Sequence, residues 1–84
     1  MPSNGQLLAM SGDERTATIE RLRFDVRIKL AHIACLGAER EIQDAEALRK
    51  QGLHPSWVGE KLEHAAELSA LAAQLTADSM RDGA

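Results

Sequence analysis

Glu60, His64 and Glu67 are the residues of this chain whose types and spacing come nearest to chemistry. At i, i+4 and i+7 they fall along one side of a helix, and two carboxylates with an imidazole suit iron or zinc. The order here is His-x-x-Glu, whereas ferritin-like di-metal sites use Glu-x-x-His with further glutamates on facing helices. The three residues also fall on the polar side of their helix. The sequence therefore predicts a solvated acidic edge, keeps Glu60, His64 and Glu67 as candidate metal ligands only, and implies no cofactor. His32 is about ten residues from the height of His64 and cannot share an ion with it inside one hairpin.

The single cysteine, Cys35, lies between Ala31 and Ala38 at seam spacing. It is expected to be a small buried thiol, with nothing beside it to make it a nucleophile. One cysteine forms no internal disulfide and implies no oxidising compartment. No Ser/His/Asp set, glycine-rich phosphate loop or Cys-x-x-Cys is present. A small helical mutase would need several cations from different helices to hold two substrate carboxylates. The second helix offers Lys61 and Arg81 alone. From Arg15 to Lys29, five cations face only Glu20 and Asp25, and Arg23 and Arg27 are spaced i,i+4. That cluster could touch an acidic partner, but the net charge of −3 gives no pull toward nucleic acid or an anionic membrane.

The elements that must position these residues are helices. Hydrophobic residues make up 44% of the 84, and they are mostly fourteen Ala and eleven Leu, with Phe24 and Trp57 the only aromatics. That composition favours helix over strand. Residues 1–10 are expected to be a flexible arm carrying Leu7, Leu8 and Met10. Ser11 with Glu14 reads as a capping box that opens the domain, residues 11–84. No proline follows until Pro55, so one helix is predicted over about 12–51. Gly52 ends it in a turn over 52–54, and Pro55 starts a second helix over about 55–80. Two long helices joined by so short a turn are antiparallel neighbours. The predicted class is all-α: a long antiparallel helical hairpin.

At about 100° per residue, the first helix carries two apolar stripes. Phe24, Ile28, Ala31, Cys35, Ala38, Ile42 and Ala45 step by 4 and 3 and are expected to close the hairpin against Val58, Ala65, Leu68, Ala72 and Leu75. Ile19, Leu22, Val26, Leu30, Ile33 and Gly37 form the second stripe, which this pairing leaves uncovered and overhanging. A second copy of the chain is the expected cover, giving a four-helix bundle. The alternative is that Leu7, Leu8 and Met10 fold back as a clasp.

These features predict a small, non-enzymatic protein–protein interaction module, an adaptor, antiactivator or chaperone-like regulator. Its partners would be itself and an unidentified larger protein, with no nucleic acid and no membrane. The contact residues expected are Ile19, Leu22, Arg23, Val26, Arg27 and Leu30 on the overhang, and Trp57 at the hairpin tip. The second reading is a structural or assembly subunit of a secretion- or phage-type hairpin. In length, hairpin form and the Pro55-Ser56 turn the chain is similar in outline to type III secretion needle subunits and the hairpin chaperones that guard them. It departs from the needle subunits in lacking a second proline in the turn and a polar, aromatic C-terminal half. No residue role is carried over. No apolar run approaches the ~20 residues of a membrane span, and the first residues do not read as a signal peptide, so a cytoplasmic setting is expected.

Overall fold

A computed structural model describes the backbone of residues 2–52 and 55–82, with side chains through residue 77. It is all-helical among those residues. The order is α1 (Asn4–Ala9), α2 (Gly12–Arg21), α3 (Phe24–Lys50) and α4 (Pro55–Asp82). No helix among the described residues is long and apolar enough to cross a membrane.

The segment expected to be a flexible arm holds α1. Ser3 starts it through a reciprocal capping box: its hydroxyl accepts from the Gln6 N–H at 3.2 Å, and the side-chain Oε1 of Gln6 accepts from the Ser3 N–H at 2.8 Å. Ser11 starts α2 by accepting from the Glu14 N–H at 3.3 Å. The guanidinium of Arg15, on α2, then reaches back to the end of α1. It donates to the carbonyls of Leu7 at 2.8 Å, Leu8 at 3.1 Å and Met10 at 3.3 Å. They lie at the end of α1, where helix carbonyls run short of partners, although Leu7 also accepts from the Met10 N–H at 3.2 Å. One side chain thereby locks α1 against α2.

The single helix expected over 12–51 is broken at Leu22 and Arg23, whose ψ angles of 144° and 149° are extended. Neither proline nor glycine causes this. The break swings α1 and α2 back over the hairpin, where Leu7 and Ile19 become fully buried. Interrupting a helix at an exposed point gives up about four backbone hydrogen bonds to water, roughly 2–6 kcal/mol. Burying Leu7 and Ile19 returns about 3–6 kcal/mol, and Leu8, Leu22 and Val26 pack against the same core. Tertiary burial offsets the loss of helix continuity.

The hairpin α3/α4 is the body of the molecule, which measures 46 × 24 × 21 Å. Gln51 caps α3 and Gly52 follows at φ +70°, the left-handed conformation that favours glycine. The buried face of α3 is Arg27, Leu30, Ala31, Ala34, Ala38 and Ala45, and it meets Ala65, Leu68, Leu71, Ala72 and Leu75 of α4. Gly37 sits where a Cβ would come within 3.2 Å of Leu68 Cδ1. Small residues on α3 thus receive the leucines of α4, which lets the two axes approach closely.

This face is not the expected seam. Ala31, Ala38 and Ala45 of that seam are buried, but Phe24, Ile28, Cys35 and Ile42 are exposed. The helix is turned so that Leu30 and Val26 fall beneath α1 and α2, joining Leu7, Ile19, Leu71 and Leu75 in one core. The clasp supplies apolar cover on that side, and the isoleucines on the other side are left out. Cys35 is accordingly an exposed thiol rather than a buried one.

Candidate interaction surface

Helical geometry gives the hairpin two broad sides. At about 100° per residue, α3 points to α4 along the mean direction of Arg27, Ala31, Ala34 and Ala38. Leu30 and Val26 lie on one side of that direction, with Leu71 and Leu75 of α4. This is the clasped side. Across it Asn4 Nδ2 donates to the Leu30 carbonyl at 3.1 Å, and Gln74 Nε2 donates to Thr16 Oγ1 at 3.1 Å. Phe24, Ile28, Cys35 and Ile42 lie on the other side, about 50–90° round the helix from the hairpin contact. On α4 the same side carries Leu62, Ala66, Ser69 and Ala73. No element among the described residues covers it.

The exposure there is large. Phe24 is 54% exposed, Ile28 40%, Ile42 41% and Leu62 39%. Farther round α3, on its outward back, Leu36 is 52% and Ile33 55% exposed. Ile33 lines shallow hollows with Ile28, Lys29 and His32, and with Leu36 and Arg40. The apolar residues of α3 therefore run round most of its circumference, while its neighbours cover one half.

The contact residues expected from sequence are mostly internal. Ile19, Arg27 and Leu30 are buried, and Leu22 and Val26 are half-buried against the core. The overhang that was to present them does not exist, because α2 turns away at Leu22. Arg27 runs its stem through the core and donates from Nε to the Leu75 carbonyl at 2.9 Å. Arg15 is spent on the end of α1, so two of the five cations read as a basic cluster serve the fold. Arg23 remains at the surface, 3.4 Å from Asp25. Trp57 is about half exposed at the turn end, where it borders a shallow hollow with Glu41, Leu48, Glu60, Lys61 and His64.

Charge pairing explains that hollow without a ligand. The Glu41 carboxylate lies 3.5 Å from Lys61 Nζ and 3.6 Å from His64 Nδ1, and Lys61 also lies 3.7 Å from Asp44. These are loose contacts on partly exposed groups, each worth about 0–1 kcal/mol. His64 faces Glu41 across the hairpin, while Glu60 is on the rim and Glu67 lies outside the hollow. Among the described residues no three His, Cys, Asp or Glu side chains are grouped to hold a metal ion.

Protein-family models, curated proteins and solved structures yield no significant match to this chain. The surface must speak for itself.

Two features escaped the sequence reading, and each had a signal. Ser3-x-x-Gln6 is a capping box as clear as Ser11-x-x-Glu14, and two boxes that start eight residues apart announce a helix, a corner and another helix. The apolar run Leu7-Leu8 behind the first box then needed a place to be buried. The corner at Leu22–Arg23 had no local signal at all.

Proposed function

We propose that this chain is a non-enzymatic protein–protein interaction module, an adaptor or chaperone-like regulator of the cytoplasm, that binds other chains through the uncovered half of α3. One observation carries the reading. A helix that is apolar most of the way round belongs in an interior, yet Phe24, Ile28, Ile33, Leu36 and Ile42 all stand at the surface of α3. Exposed apolar area on this scale marks a contact surface in a soluble protein. Helices from a partner laid along the open side would complete a bundle of four, with packing like that between α3 and α4. Leu36 and Ile33, on the back of the helix, offer a second strip beside it. A protein of this design would act by what it holds and by what it covers.

Photo-crosslinking in cells tests this. Side chains carrying a photoreactive group at Ile28 or Ile33 should yield adducts with other polypeptides. The same group at Gln6 or Ala17, exposed positions on α1 and α2, should yield few. Equal labelling from all four positions, or none from Ile28 and Ile33, would remove the uncovered half of α3 as the working surface.

A further inference from the structure

We infer that the clasp formed by α1 and α2 is exchangeable between two copies of this chain: α2 and α3 join into one straight helix, and each clasp seats on the other copy's hairpin. The open side of α3 takes no part, so the exchange stands apart from the contact surface proposed above.

The corner at Leu22–Arg23 carries the inference. Neither proline nor glycine lies there, and Leu and Arg are both strong helix formers. The start of α3 is also unfinished. Ser3 and Ser11 cap α1 and α2 through their hydroxyls, whereas Arg23, in the same position before α3, makes no side-chain cap bond. The corner therefore leaves the first N–H groups of α3 to water, and it persists because it lets Leu7 and Ile19 be buried on the hairpin. Within one chain, helix continuity and that burial exclude each other. Between two chains both are met. A straight helix from Gly12 to Lys50 restores the bonds across the corner, and the clasp contacts are all remade from chain to chain.

The placing of the clasp suits this exchange. Arg27 reaches the Leu75 carbonyl and Gly37 lies against Leu68, so Gln74 is level with the first turns of α3. Thr16 accepts from Gln74 there, and Asn4 donates to the Leu30 carbonyl. From Thr16 to its end, α2 thus doubles back along the hairpin, roughly antiparallel to α3. Straightening the corner swings the clasp through about half a turn, and a half-turn applied twice returns to its start, so the exchange closes at two chains about an axis beside Leu22 and Arg23. The clasp can leave as a unit, because Arg15 ties α1 to α2 and not to the hairpin. Asn4 Oδ1 is buried without a hydrogen-bond partner among the described residues, so it regains water when α1 lifts away. Leu30, Leu71 and Leu75 are then uncovered, and another copy's Leu7 and Ile19 fit them as the chain's own do.

The test uses the purified full chain, unfolded in urea and refolded at about 1 mM so that the exchange reaches equilibrium. Sedimentation should show monomer and dimer and nothing larger. Arg23→Pro then decides where the dimer is joined. Arg23 has φ −66° and follows an extended Leu22, a setting that proline accepts, so the closed monomer should keep its helicity and its melting temperature. A straight helix running through residue 23 cannot hold proline in its interior, so the dimer should weaken by about a hundredfold or more. A second measurement follows the contacts themselves. With Cys35→Ser throughout, Thr16→Cys is placed in one population of chains and Gln74→Cys in another, and the two are refolded together. A bis-maleimide of short span should join unlike chains, and Arg23→Pro in both populations should abolish that product. A chain that stays monomeric after refolding at about 1 mM overturns the inference. So does a dimer that survives Arg23→Pro undiminished, or one in which unlike chains are not joined.

Discussion

Replacing Leu7 by Ala asks whether the clasp belongs to the cooperative core. Leu7 is fully buried, in a six-residue helix held by Arg15 on one side and by Asn4 on the other. Truncating a buried leucine costs about 2–5 kcal/mol, less where the surroundings can settle into the gap. So short a helix can settle to some degree, which gives about 3 kcal/mol here. A domain of this length holds roughly 4–12 kcal/mol in total, so the variant should lose a quarter or more of its stability. The melting temperature should fall by about 12–24 °C. Urea unfolding followed by far-UV circular dichroism, at one fixed protein concentration, reads the effect directly. The midpoint should drop by about 1–3 M while the slope stays constant. Leu8→Ala, at a half-buried position, is the control and should cost about 1 kcal/mol. A loss below about 0.5 kcal/mol for Leu7→Ala would show that α1 is not part of the cooperative unit, and the account of the break at Leu22 would fail with it. Hydrogen exchange separates the remaining case. If α1 and α2 open by themselves, their amides exchange early in the variant while those of α3 and α4 keep their protection.

Two further substitutions probe the hairpin. Arg27→Ala removes a buried stem and its charged donor to the Leu75 carbonyl, and should cost about 2–3 kcal/mol in the same urea assay. Arg27→Met keeps the stem and should stay within about 1 kcal/mol of the parent; equal losses in both would put the weight on the hydrogen bond instead of the packing. Gly52→Ala places a Cβ at φ +70° and should cost about 1–2 kcal/mol, with Gly52→Asn milder. A neutral Gly52→Ala in thermal melts would contradict the left-handed geometry of the turn.

What could be read from the sequence was local. The helical class follows from alanine and leucine in the near absence of aromatic residues. The Ser11 cap, the glycine at 52 and the proline at 55 act through their own backbone and nearest neighbours, so they carry their meaning wherever they stand. The stripes on α3 were visible too, because periodicity is a property of one helix. Which stripe faces inward is a property of two or more helices, and there the reading reversed. Both faces of α3 were apolar enough to be core, and Ile42 looked a better core residue than Leu30. The choice fell to Leu7 and Ile19, more than ten residues away in the chain, which cover Leu30 only because the helix breaks at Leu22. That break has no local cause: it is stabilised by burial that exists only once α1, α2 and the hairpin are together. The same event turned Ile19, Arg27 and Leu30 from candidate contacts into core, and brought Ile28, Cys35 and Ile42 to the surface. A sequence states which residues avoid water, but their partners are decided by the free energy of the whole packed arrangement.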